Sequence, residues 1–209
     1  MKTHWTRRDF LTVSGSAVAA AAFAPQTLVA AEGPAGSKRD IKKGIMYATV
    51  GLKGSVLEKF KAIKEAGFDG VEPMGGMDQD EVAKAFEATG LKAASVCCHT
   101  HWAKPLSDPN PTAREVGLEG LKTSLRDAKR YGATSVLLVP AVVSKQVSYA
   151  EAYERSQAEI RKAIPLAEEL GVTIAIENVG NFFLMSPLEA ARFVDEFHSP
   201  AVGWHFDVG

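Results

Sequence analysis

Two carboxylates in this sequence stand where a β-strand would end. In residues 172–177, two-residue alternation puts Val172, Ile174 and Ile176 on one face and Thr173, Ala175 and Glu177 on the other. The bulky face must meet helices, while the opposite face carries small residues and then a carboxylate. Residues 202–207 repeat the arrangement, with Val202, Trp204 and Phe206 on the bulky face and Gly203, His205 and Asp207 on the other. Glu72 closes an earlier apolar run in the same way, and His99, followed two residues on by His101, closes another. Carboxylates are costly to bury unpaired, so Glu177 and Asp207 require a metal ion, a cationic partner or a proton. An oxygen-rich site with one imidazole suits Mn²⁺, Mg²⁺ or Co²⁺ better than a thiolate-preferring metal. Taken singly, each acid has a plainer use, capping the next helix or pairing with Lys or Arg, and each histidine a local hydrogen bond.

The elements that must position these groups alternate along the chain. Apolar, β-branched runs at 44–49, 68–73, 91–99, 135–139, 172–177 and 202–208 predict six strands. Between them, five helices are predicted at 55–66, 79–89, 112–131, 149–170 and 187–197, with helical spacing in Val56, Phe60 and Ile63 and in Leu188, Ala191 and Val194. Gly67, Gly90, Gly132 and Gly171 suit left-handed C-caps, and Ser186-Pro187 suits the opening of the last helix. Strict alternation implies a parallel sheet, either doubly wound and open or closed into a barrel. Length favours the open sheet. Small inward residues and charged residues at several strand ends favour an α/β fold of the (β/α)8 TIM-barrel type, whose C-terminal strand ends carry the chemistry.

The 209 residues are 46% hydrophobic and 23% charged, which excludes disorder, collagen and coiled coil. With 24 Lys+Arg against 25 Asp+Glu, no nucleic-acid partner is expected. Cys97 and Cys98 are adjacent and are the only cysteines, so no disulfide framework exists; Cys97 reads as a small buried hydrophobe on the face of His99. The stretch Gly51-Leu52-Lys53-Gly54-Ser55 has the flexibility to cradle a phosphate at a helix start, but it matches neither the dinucleotide nor the Walker pattern.

Ahead of the domain, Arg7-Arg8 precedes a mildly apolar run at 11–23 and an end at Val29-Ala30-Ala31. Paired arginines, a short apolar region and small residues at a cleavage site resemble a twin-arginine secretory leader over 1–31, and residues 32–42 read as a linker. The run is too short for a membrane span, so no stable membrane anchor is expected. The leader implies a periplasmic or otherwise extracytoplasmic protein exported already folded. Its removal takes away Lys2, Arg7, Arg8 and Asp9 and leaves a net charge of −3.

The run Gly171 to Asn178, ending Glu177-Asn178, followed by Gly203-Trp204-His205-Phe206-Asp207-Val208-Gly209, resembles the xylose isomerase-like TIM-barrel superfamily. More narrowly it is similar to the branch of sugar-phosphate isomerases and epimerases and hydroxypyruvate isomerases; Gly67-Phe68-Asp69-Gly70-Val71-Glu72 is typical of its second strand. The resemblance implies one divalent ion, Mn²⁺ first and Mg²⁺ or Co²⁺ as alternatives, with Glu177 and Asp207 as two ligands. It implies that Glu177 is also the acid/base that takes a proton from the carbon beside a ketose carbonyl, through a cis-enediolate. Glu72, His99, His101 and Asn178 are then expected to bind a small sugar or hydroxy-keto substrate, and a homo-oligomer is left open. The family's remaining His and Glu ligands belong to seventh and eighth strands without counterpart here, and His205 does not match that His. About 178 residues remain after the leader, against ~250 for a typical barrel, so an incomplete barrel over 43–209, inactive alone, is expected. Two readings stand beside it: an exported non-catalytic sugar-binding domain, and an apurinic-endonuclease-like nuclease, which few histidines and the acidic charge disfavour.

Overall fold

The computed structural model describes residues 41–208. The Arg7-Arg8 leader and most of the linker lie outside the described residues. Strands and helices alternate as β1 (Gly44–Met46), α1 (Val56–Glu65), β2 (Gly70–Glu72), α2 (Gln79–Thr89), β3 (Lys92–Ala93), β4 (Val96–Cys97), α3 (Pro111–Tyr131), β5 (Ser135–Leu138), α4 (Tyr149–Leu170), β6 (Thr173–Ile176), α5 (Pro187–Asp195) and β7 (Val202–Trp204). Every ladder is parallel, in the orders β1-β2-β3 and β4-β5-β6-β7. Parallel pairing requires a crossover after each strand, and the helices supply it on the outer face, forming an incomplete barrel.

Local signals explain the helix bounds. Ser55, Ser148 and Ser186 each cap a helix reciprocally with Glu58, Glu151 and Glu189. Gly90, Gly132 and Gly171 end α2, α3 and α4 in the left-handed conformation, and Gly67, just past the Ala66 cap of α1, is left-handed as well. Outward-facing Val136, Leu138, Ile174 and Ile176 pack with Leu121, Leu125, Ile160 and Phe193, while Val71 packs with Phe60, Ile63 and Val82.

The third predicted strand differs from expectation. Residues 91–99 form two short segments, β3 against β2 and β4 against β5. A Cβ on inward-facing Gly44 would lie 3.3 Å from Ala94 Cβ, and the neighbouring Ser95 hydroxyl donates to inward-facing Glu72. Two successive residues thus face the barrel interior, which is a bulge, and it lets one strand change partners. The first and last strands are also shorter than predicted, because Met46 pairs with Glu72 and Trp204 with Ile176, where their neighbours' ladders end.

Loops at the C-terminal strand ends are clamped. Buried Asp127 of α3 accepts hydrogen bonds from Gly76 N (2.7 Å) and Gln79 Nε2, holding the loop after β2. Asn181 ties the loop after β6 to that after β5, donating from Nδ2 to Ala141 O at 2.7 Å. The loop after β4 lies directly on α3: a Cβ on Gly120 would meet Thr100 Oγ1 at 2.1 Å, and one on Gly117 would meet Lys104 O at 2.2 Å. No helix among the described residues is long and apolar enough to cross a membrane. A Gly120→Ala substitution must push Thr100 off the helix. It is expected to cost about 1–3 kcal/mol, read as a lowered Tm in a thermal melt, with an unchanged Tm refuting the clamp.

Candidate active site

Thr173, Ala175 and Glu177 face inward because Ile174 and Ile176 are held in the outer core. The Glu177 backbone N–H donates to Leu138 O at 3.0 Å, which seats its side chain at the mouth end of the interior, and only 8% of the residue is exposed. On the next strand, His205 N–H donates to Ile176 O at 2.8 Å, and the imidazole Nε2 lies 3.7 Å from Glu177 Oε1. Glu72, 7% exposed at the end of β2, accepts from Ser95 Oγ. Between them sits the Cys97 thiol, pushed up to about 12 by burial and then by the charges of Glu72, Cys98 and Glu177. As expected from its alternation, Cys97 is buried and inward, far from the thiolate form that a nucleophile needs.

Two buried carboxyls therefore share one imidazole. Burial raises the Glu177 pKa above the ordinary carboxylate value, His205 opposes the shift, and Asp207 and Glu72 add to it. Burial likewise raises Glu72, against the Ser95 hydrogen bond and the His205 charge. Carboxyls held in this state exchange protons at pH values closer to neutrality than free ones do. His205 does not match the family's remaining His ligand, yet it stands beside Glu177. Its place on the same face as Gly203, opposite Ala175, was the signal that could have found it. Ser95 was invisible, since only the bulge turns it inward.

Asp207 and Asn178 follow the ladders rather than belonging to them, since β7 ends at Trp204 and β6 at Ile176. Both residues line a cavity of about 430 Å³ bounded by α5 residues Ala190 and Val194 and by Trp204 and Phe206. Phe206, expected on the packed outer face, is 77% exposed. Asp207 is still near enough for its charge to raise Glu177. Among the described residues, no group of three or more His, Cys, Asp and Glu side chains is arranged to hold a metal ion.

The two histidines after β4 separate. His101 is buried, and its Nδ1 accepts the Val139 backbone N–H at 3.2 Å, which places the ring proton on Nε2. Burial, followed by the His99 charge, holds its pKa at about 4, so the ring is neutral. His99 is exposed and lies over the Gly75-Gly76 backbone, where a Cβ on either glycine would come within 3.0 Å of its ring.

The pH dependence of folding follows from Glu72. Its folded pKa is raised, so the folded state holds the proton more tightly than the unfolded chain does. That contribution is fully present below the unfolded pKa of ~4.3 and is lost as pH rises through the folded value. Melts of wild type and Glu72→Gln across this window should show wild type losing stability relative to the variant as pH rises; parallel Tm profiles would contradict the burial argument.

Residues 60–209 match the family model described as xylose isomerase-like TIM barrel. The L-ribulose-5-phosphate 3-epimerase UlaE of Escherichia coli O1:K1 / APEC is 24% identical over 166 residues, covering 73% of this chain. The chain spans 58% of that protein's length. Among solved structures, the 3-keto-D-glucoside 4-epimerase YcjR from E. coli superposes with a TM-score of 0.67 at 21% identity, covering 78% of this chain and 66% of YcjR. The IOLI protein, solved with a bound zinc atom, superposes with a TM-score of 0.60 at 18% identity over 78% of this chain and 62% of its own. Such structural likeness bears on the fold, and it agrees with the parallel α/β topology described above. Since the family model takes in β2 through β7 with Glu72, Glu177 and Asp207, the chain belongs to the xylose isomerase-like TIM barrel family.

Proposed function

We propose that this chain is the N-terminal portion of an exported sugar isomerase or epimerase in which Glu177 moves the proton. The carrying observation is the pair of buried, raised carboxyls, Glu72 and Glu177, with the His205 imidazole 3.7 Å from Glu177 and its charge acting on both. An epimerase or isomerase must break a C–H bond beside a carbonyl near neutral pH. An ionised carboxylate whose pKa has been raised by burial is a stronger base than a free one. Glu177 takes the proton, the C–H electron pair enters the new C–C double bond, and the carbonyl oxygen takes the charge, leaving a cis-enediolate. His205, beside Glu177, favours the ionised form that accepts the proton.

Glu72, His101 and His99 are the substrate-binding groups of this reading, with the neutral His101 offering its Nε2–H to a substrate oxygen. Asn178 lies beside Asp207 at the adjoining cavity. Glu177 and Asp207 would hold a divalent cation, Mn²⁺ first, and the negative charge that Asp207 and Glu72 place on Glu177 supports it. Such an ion supplies Lewis-acid polarisation of carbonyl and hydroxyl oxygens. Export rests on the Arg7-Arg8 leader, and the relationship to UlaE supports the sugar class.

The test is exchange of solvent deuterium into the carbon beside the carbonyl of L-ribulose, L-ribulose 5-phosphate and D-fructose, with Mn²⁺ present. Exchange is expected for the full-length protein and should fall by about 10²–10⁴ in Glu177→Gln. Absence of exchange, or equal exchange in the variant, refutes the proton-transfer reading. Sugar binding without exchange would move the assignment to an exported sugar-binding domain, which the 58% span of the relative makes the second reading.

A further inference from the structure

The loop after β4 carries an arrangement that proton transfer does not use. Trp102 is 54% exposed, yet the chain on both sides of it is locked. On one side, Thr100 sits against Gly120 and donates to Gly117 O at 3.3 Å, and buried His101 takes the Val139 N–H. On the other, Lys104 N–H donates to Thr100 O at 2.7 Å, Leu106 is in the core, and the fully buried Ser107 Oγ accepts from Val142 N at 2.9 Å. The indole meets His101 edge to face, with ring centroids 5.6 Å apart. An apolar ring left in water on a loop this constrained is preorganised for contact rather than stranded by mobility.

Its location gives the contact a meaning. Val139, which anchors His101, directly follows Leu138, and Leu138 O accepts the Glu177 N–H at 3.0 Å. The path Glu177, Val139, His101, Trp102 therefore crosses two strand spacings, from β6 to β5 and from β5 to the end of β4, about 10 Å in all, and reaches the rim of the same strand ends. A ketose is held at one end by polar groups around its carbonyl, while the carbons at its other end present C–H bonds. Aromatic faces carry negative charge density and receive such C–H edges.

We propose that the Trp102 indole is the stacking wall of the substrate site, taking the C–H face of an uncharged pentulose or hexulose whose carbonyl end lies at Glu177. The carbonyl end rests on the proton-transfer reading above; the stacking end does not. Calorimetric titration of the full-length protein with L-ribulose, D-fructose and L-ribulose 5-phosphate tests it, alongside tryptophan fluorescence of wild type and Trp102→Phe. The uncharged sugars should bind about tenfold more weakly to Trp102→Ala, equivalent to ~1.4 kcal/mol, and within about threefold of wild type to Trp102→Phe. They should also change the fluorescence of wild type but not of Trp102→Phe. Wild-type affinity in Trp102→Ala overturns the proposal. So does a wild type that binds neither uncharged sugar, or one that takes only the phosphorylated sugar with no dependence on Trp102. Trp102-dependent binding without deuterium exchange would sink the proton-transfer reading and leave the stacking wall standing; exchange with an unchanged KM in Trp102→Ala would do the reverse.

Discussion

Two backbone hydrogen bonds determine whether this molecule has a site: Glu177 N–H to Leu138 O and His205 N–H to Ile176 O. They are the last rungs of adjacent parallel ladders, and each sets the face on which a functional side chain emerges. A slip of one residue in β6 would send Glu177 to the outer face and drive Ile174 and Ile176 into the barrel interior. The outer core of Val136, Leu138, Ile174 and Ile176 against Leu121, Leu125 and Ile160 holds that register. Apolar packing outside the barrel is thus what positions a carboxyl inside it.

Burying carboxyls in that interior works against stability, and the surrounding structure offsets it only partly. Ser95 gives Glu72 a hydrogen bond, and His205 faces both glutamates, yet both remain shifted toward the neutral form. Buried Asp127 has a different use: two donors aimed at its carboxylate make it a fastening for the loop after β2. The difference between a fastening acid and a reactive one lies in how fully its oxygens are satisfied. The same division runs through the loops, where Asn181 and Ser107 are consumed by backbone hydrogen bonds while Trp102 is held in place and left open to water.

Much of this was legible in the residue order. Alternation in 172–177 assigned Glu177 to the inner face correctly, because a strand with one bulky and one small face has a single way to sit between helices and a barrel interior. The helix caps followed from Ser-x-x-Glu and glycine placements, whose chemistry is local. The β3–β4 break was not legible, because a bulge arises where a strand changes partners, and partner choice is a property of the sheet. Asp207 lies past Trp204, where the neighbouring ladder no longer enforces alternation, so its position depends on tertiary packing.

By itself, the sequence determined the parallel α/β architecture and the inward course of Glu72, Cys97 and Glu177, since each depends on period or nearest neighbours. Only the tertiary structure decided that Ser95 and His205 join the two glutamates, that His101 is neutral, and that Trp102 is braced at the rim. Those outcomes depend on contacts between residues far apart in the chain, from Ser95 to Glu72, His205 to Glu177, and Val139 to His101. No local pattern encodes such distances; packing of the helices on the sheet creates them.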